Sequence, residues 1–130
     1  ACDNGASEID MVINRCFVKT GRWDDVASEI KLISDGVHAK GALLKVIIET
    51  CDLTEDEKIR MCKIVSEAGA DFIKTSTGFG TAGATAEDIA LMRRECDADV
   101  RIKAAGGIRS QEAAQQMLDN GAIRIGASKL

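Results

Sequence analysis

The chain has 130 residues, of which 45% are hydrophobic and 29% are charged, and its formal net charge at pH 7 is −4. This composition is typical of one globular domain, which we place at residues 1–130. The mild negative charge gives no electrostatic case for binding nucleic acid or an anionic membrane. No apolar run approaches the roughly 20 residues of a membrane-spanning helix.

The number and spacing of the cysteines allow predictions about the cellular compartment and about metal binding. They are odd in number, and no pair has the close spacing of a zinc site. We therefore predict no metal site, free thiols and a cytoplasmic location. The amino-terminal residues lack a basic segment followed by an apolar one, so no signal peptide is predicted. The cysteines are Cys2, Cys16, Cys51, Cys62 and Cys96.

In chain order, five apolar runs each predict a strand. Gly-Ala pairs precede four of the runs, and a glycine at this point can end the preceding helix in a left-handed conformation. Several runs are apolar on both faces, which is typical of a parallel sheet that is covered on both sides. The predicted strands span residues 8–13, 43–49, 71–76, 100–104 and 123–127.

Helical patterns lie between these strands. Thr54 and Glu57 have the spacing of a capping box, and Thr85 and Ser110 are predicted to begin two further helices. His38, the single histidine, falls near the end of a helical stretch and is expected to cap it rather than to act in catalysis. The first helix is predicted from apolar residues at helical spacing: Trp23, Val26, Ala27, Ile30 and Ile33.

Alternating strands and helices predict an α/β fold with right-handed crossovers and a parallel sheet. In such folds, functional residues gather at the carboxyl ends of the strands. The polar residues that interrupt the strands are therefore the informative ones. They are Asp10, Lys45, Lys74 and Lys103.

The three lysines are separated by 29 residues each (45 to 74 and 74 to 103), which is about one strand-helix unit per step. Asp10 and Lys74 both stand five residues after the glycine that precedes their strand, so we expect them at equal depth in the sheet. A buried lysine beside a second cation has a lowered pKa and becomes an amine nucleophile at neutral pH. Alternatively, the lysines face outward and their ammonium groups extend to solvent.

Glycines at the strand ends predict a phosphate site. Backbone N–H groups and a helix N-terminus, as after Gly106-Gly107, are suited to bind an anion. The alternative is that these glycines only form tight turns. The candidate phosphate-binding residues are Thr77, Gly78, Gly106, Gly107, Gly126 and Ser128.

Five separated motifs, in the same order, resemble deoxyribose-phosphate aldolase, a class I aldolase on a TIM (β/α)8 barrel. The motifs are the runs at residues 8–14, 43–50, 70–78, 102–109 and 125–128. They match the family's fourth to eighth strands. The resemblance therefore implies parallel β/α units derived from this barrel but incomplete, with about five strands and four helices.

The resemblance also implies the chemistry. The expected reaction is cleavage of 2-deoxyribose 5-phosphate to acetaldehyde and glyceraldehyde 3-phosphate, without a cofactor. Lys74 would form the Schiff base, Lys103 would lower its pKa, and Asp10 would relay protons. Lys45 is placed with the residues that bind substrate or phosphate.

Five units do not close an eight-stranded barrel. The open edges are expected to favour a homo-oligomer. The alternatives are that the sheet flattens into an open, doubly wound layer, or that a separate partner supplies the missing strands. Two alternative functions follow: a non-catalytic barrel fragment that self-associates, and a phosphate-binding module without turnover.

Overall fold

The computed structural model describes residues 8–50, 53–76, 85–105 and 111–126. The strands are β1 (Glu8–Val12), β2 (Leu43–Ile47), β3 (Phe72–Lys74), β4 (Arg101–Ala105) and β5 (Arg124–Gly126). The helices are α1 (Arg15–Lys19), α2 (Trp23–Ala39), α3 (Glu55–Glu67), α4 (Ala86–Glu95) and α5 (Gln111–Asp119). The five predicted strands and the four predicted helices are therefore present.

The described residues add one helix that the sequence did not predict. α1 has five residues, too few to show a period, and it begins because the Asn14 side chain accepts a hydrogen bond from the Phe17 N–H at 3.2 Å. In contrast, Thr54 forms the predicted capping box with Glu57 at the start of α3.

The strands lie in the sheet in chain order, β1-β2-β3-β4-β5, and all neighbours are parallel. A doubly wound sheet would reverse direction at a switch point, and this order has none among the described strands. The sheet is therefore wound as in a β/α barrel, and the flattened doubly wound alternative is wrong for this part of the chain.

The two faces of the sheet differ sharply in composition. One face packs on the helices through Leu44, Val46, Ile73 and Ile102, which join one core with buried residues of α2 to α5. The opposite face, here called the inner face, is formed by the residues that alternate with these, since register partners in parallel strands project to the same side. The inner-face residues are Glu8, Asp10, Val12, Leu43, Lys45, Ile47, Phe72, Lys74, Arg101, Lys103 and Ala105.

His38 lies in the last turn of α2, as predicted, but it contacts more than solvent. Its Nε2 lies 2.6 Å from Asp71 Oδ2, and the same oxygen accepts a hydrogen bond from the Leu44 N–H at 2.9 Å. This contact joins the end of α2 to the residue that precedes β3. It lies at the amino-terminal ends of the strands, whereas the candidate site lies at their carboxyl ends. Within the described ranges, no helix combines the length and apolar character that crossing a membrane requires.

Candidate active site

Lys74 is the last residue of β3 and lies on the inner face of the sheet. Its register partners are Ile47 on β2 and Lys103 on β4. Only 13% of its side-chain surface is exposed. The ammonium group therefore does not extend into solvent, and the outward-facing alternative does not describe this lysine.

Asp10 is shared between two lysines. Its Oδ2 lies 3.8 Å from Lys74 Nζ, and its Oδ1 lies 3.7 Å from Lys45 Nζ. These distances exceed that of a hydrogen bond, so the contacts are electrostatic and leave the carboxylate able to bind water or exchange a proton. Asp10 is also the most exposed of the three, at 44%.

The expectation that Asp10 and Lys74 occupy equal depth is wrong. Asp10 pairs with Lys45, which pairs with Phe72, whereas Lys74 lies two residues further along β3. Parallel strands in a barrel are staggered, so an equal distance from each strand start does not give an equal height in the sheet. The long lysine side chain spans the difference, and the two groups still meet.

The same stagger separates Lys45 from the other two lysines. Lys74 and Lys103 are direct register partners, so their Cα atoms are about 4.8 Å apart, as for neighbouring strands. Lys45 lies one layer nearer the amino-terminal ends of the strands. Lys74 and Lys103 thus lie side by side at the inner face, near the carboxyl ends of β3 and β4.

Thr75 is a positioning residue that the sequence analysis missed. Its hydroxyl donates to the Ala105 carbonyl at 3.0 Å and accepts from the Ala105 N–H at 3.1 Å, and it also accepts from Ser76 Oγ at 3.3 Å. These bonds fasten the end of β3 to the end of β4, next to the Lys74–Lys103 pair. A polar residue inside an otherwise apolar strand, directly after Lys74, was the available signal.

The end of β2 is unusual in its backbone. Glu49 is 4% exposed and has a φ of 51°, in the left-handed region that non-glycine residues rarely adopt. The adjacent Thr50 is also buried, and within the described residues its hydroxyl has no hydrogen-bond partner. Strain and an unsatisfied polar group at a strand end are features that cluster near functional sites.

The predicted phosphate-binding residues fall mainly outside the described part of the chain. Thr77, Gly78, Gly106, Gly107 and Ser128 all do so. Gly126 is described: it is the last residue of β5 and pairs with Ala105, two residues beyond Lys103. Among the described residues, no group of three or more His, Cys, Asp or Glu side chains could hold a metal ion.

The sequential parallel sheet, with helices on one face and charged residues on the other, defines a segment of a TIM-type β/α barrel with a lysine at a strand end. A family model described as DeoC/LacD family aldolase matches residues 1–128. The chain belongs to this family of aldolases.

The relatives that the chain resembles are longer. It is 55% identical over 128 residues to the deoxyribose-phosphate aldolase of Thermococcus gammatolerans, covering 98% of this chain and 57% of that protein. The aldolase QR15 has a TM-score of 0.89 at 43% identity, over 97% of this chain and 56% of the other. The tetrameric deoxyribose phosphate aldolase of Aeropyrum pernix has a TM-score of 0.87 at 30% identity, over 98% and 53%. The chain thus spans little more than half the length of these proteins.

Proposed function

We propose that the chain carries class I aldolase chemistry, with Lys74 as the Schiff-base nucleophile. The observation that carries this proposal is the placement of Lys74: a mostly buried amine at a strand end, with Lys103 as its register partner and Asp10 at 3.8 Å. The proposed substrate is 2-deoxyribose 5-phosphate, as the names of the relatives suggest.

The proposed reaction follows from the chemistry of the amine. The Lys74 amine adds to the aldehyde carbon, and the resulting carbinolamine loses water to give a protonated imine. This cation withdraws electrons, so the carbon–carbon bond breaks, glyceraldehyde 3-phosphate leaves and an enamine remains. Protonation and hydrolysis then release acetaldehyde and the free amine. Asp10, half-exposed and beside Lys74, is placed to move protons to and from the substrate through water.

Charge on the inner face supports a phosphorylated substrate. The described inner-face residues include two carboxylates, Glu8 and Asp10, against four basic side chains. A surface with excess positive charge attracts anionic substrates, although the whole chain is acidic. The basic side chains are Lys45, Lys74, Arg101 and Lys103. The phosphate would bind at the glycine-rich strand ends, of which Gly126 is the described member.

The open edges of the sheet favour a second element of the proposal, self-association. β1 and β5 each have one neighbour in the described sheet, and Val12, on the inner face of β1, is 45% exposed. Unpaired edges and exposed apolar groups favour pairing with another chain. We propose a homo-oligomer, and size-exclusion chromatography with light scattering tests it; a stable monomer would refute it.

Turnover tests the function. Purified chain is incubated with 2-deoxyribose 5-phosphate, and acetaldehyde release is measured for the wild type, Lys74→Leu and Lys63→Leu. Lys63 is exposed on α3, so its replacement is the matched control. We expect release by the wild type and by Lys63→Leu but not by Lys74→Leu. An aldehyde adduct on Lys74 without any release would instead favour a non-catalytic barrel fragment.

The cytoplasm is the proposed compartment. The three described cysteines, Cys16, Cys62 and Cys96, are free thiols, which is the usual state in a reducing compartment.

A further inference from the structure

We propose that Lys45 is a positioning residue that acts on Lys74 through Asp10, and not a phosphate ligand. This inference rests on the proposed Schiff-base function of Lys74. Lys45 shares the negative charge of Asp10 with Lys74, and so weakens the hold of that carboxylate on the Lys74 amine.

The depth of Lys45 in the sheet separates it from the glycine-rich strand ends. Lys45 is level with Phe72 and therefore with Arg101, whereas Gly126 is level with Ala105, four residues further along β4. At the rise of a parallel strand this is about 13 Å. A lysine side chain is about half that long, so Lys45 does not reach a phosphate bound at Gly126.

The contacts of Lys45 are with carboxylates and an aromatic ring. Its Nζ lies 3.5 Å from Glu8 Oε2, 3.7 Å from Asp10 Oδ1 and 5.9 Å from the centre of the Phe72 ring. Only 9% of its side-chain surface is exposed. A buried ammonium is stable only when it is paired, and these partners account for its charge without any ligand.

The geometry makes Asp10 the link between the two lysines. Each of its oxygens faces a different ammonium group, at 3.7 and 3.8 Å. Removing the positive charge of Lys45 takes away the cation that the described contacts place at Asp10 Oδ1. The negative charge of Asp10 then acts more strongly on the Lys74 amine, which must be released from this contact before it can attack an aldehyde.

Other charged groups on the inner face of the sheet also contribute to the electrostatic field at this site. Glu8 lies on β1 beside Lys45, and Arg101 and Lys103 lie on the inner face of β4. None of these is changed by substitution at Lys45, so a shift in pH dependence on that substitution reports on the Lys45–Asp10–Lys74 set.

The test measures the rate of borohydride trapping of acetaldehyde on Lys74 as a function of pH. The variants are Lys45→Met, Lys45→Arg, Asp10→Asn and the double variant, with Lys63→Met as the exposed control. For Lys45→Met we expect trapping to fall about tenfold near neutral pH and by less at higher pH. Lys45→Arg restores the wild-type profile, and in the Asp10→Asn background Lys45→Met has little further effect.

A parallel titration with inorganic phosphate separates the two roles of Lys45. Phosphate affinity, followed by ³¹P NMR, is expected to be the same in the wild type and in Lys45→Met. A tenfold loss of phosphate affinity with an unchanged trapping profile would overturn the proposal and assign Lys45 to the phosphate. If Lys45→Met does not fold by circular dichroism, Lys45→Gln replaces it in both measurements.

The remaining outcomes distinguish this inference from the proposed function. Wild-type chain that traps at Lys74, with equal profiles for Lys45→Met and Lys63→Met, overturns the role of Lys45 and leaves the aldolase proposal standing. The role of Lys45 is also overturned if Lys45→Met and Asp10→Asn have additive effects on the trapping rate, because Lys45 is proposed to act only through Asp10. Wild-type chain that forms no adduct overturns the proposed function and, with it, the positioning role.

Discussion

Replacement of Thr75 by valine tests whether the two hydrogen bonds between the Thr75 hydroxyl and the Ala105 backbone hold the ends of β3 and β4 together. We call this pair of bonds the clamp. Valine has nearly the shape of threonine and suits a strand, so the change removes the hydroxyl and little else. Thr75 is 0% exposed. The variant leaves the Ala105 N–H without its acceptor and removes one partner of the Ala105 carbonyl.

The expected magnitude follows from these lost bonds. A buried backbone group without a partner costs about 1–3 kcal/mol, so we expect Thr75→Val to lower the free energy of unfolding by about 2 kcal/mol. Loosening of the β3–β4 ends should also slow adduct formation at Lys74, because one of the ties that hold Lys74 beside Lys103 would be lost.

Thr50→Val is the matched control. Thr50 is also a buried threonine just beyond a strand end, but its hydroxyl has no hydrogen-bond partner among the described residues. Removing an unsatisfied buried hydroxyl is expected to leave stability unchanged or to raise it by up to about 1 kcal/mol. Urea unfolding followed by far-ultraviolet circular dichroism measures both variants against the wild type. Equal effects of the two substitutions, or a loss below about 0.5 kcal/mol for Thr75→Val, would refute the clamp.

Three further predictions concern the helices that support the sheet. Thr54→Ala removes the hydroxyl that accepts from the Glu57 N–H at 3.2 Å, and urea unfolding should show a loss of about 1 kcal/mol; a loss no larger than that of Ser28→Ala, at an exposed position in α2, would contradict the cap. The hydrogen bond from Lys19, with that from the Thr54 backbone, lowers the pKa of Glu57 below its ordinary 4.5. The ionised Glu57 carboxylate therefore contributes its full stabilisation above pH 4.5, and this contribution is lost as the pH falls through the lower pKa of the folded state. Glu57→Gln should make the free energy of unfolding depend less steeply on pH on the acid side. An unchanged slope would contradict the role of the Glu57 carboxylate. A hydrogen bond to Cys96, together with burial, raises the pKa of the Cys62 thiol, so iodoacetamide at pH 8 should alkylate exposed Cys16 and spare Cys62 in the folded chain; peptide mass spectrometry showing equal labelling would refute this.

The sequence predicted the order and type of the main elements because their signals are local. Periodic apolar residues, the Thr54–Glu57 box and strand-opening glycines such as Gly41 and Gly69, both at positive φ, are each contained in a short stretch of chain. α1 was missed because its five residues are stabilised by Asn14 and by the pairing of Lys19 with Glu57, across 38 residues of sequence. The end of α2 also extends past Ile33 to Ala39, where Val37 is buried.

The sequence predicted which residues form the candidate site better than it predicted where those residues lie relative to one another. The spacing of one strand-helix unit correctly predicted that Lys74 and Lys103 lie side by side, because the two lysines occupy equivalent positions on neighbouring strands. The equal distance of Asp10 and Lys74 from the preceding glycines wrongly predicted equal depth, since the stagger between parallel strands arises from barrel geometry and cannot be read from chain spacing. Thr75 carried a signal, a polar residue directly after Lys74 in an apolar run, but the partner of its hydroxyl, Ala105, lies 30 residues away and became known only from the structure.

Trapping of the imine with borohydride shows whether Lys74 is the reactive amine. The folded chain is treated with acetaldehyde and sodium borohydride, and the modified lysines are mapped by peptide mass spectrometry. We expect one ethyl group to be placed on Lys74 faster than on exposed lysines such as Lys63, and Lys74→Leu to abolish this fast phase. A folded chain in which Lys74 is unmodified, or is modified no faster than Lys63, would contradict this expectation.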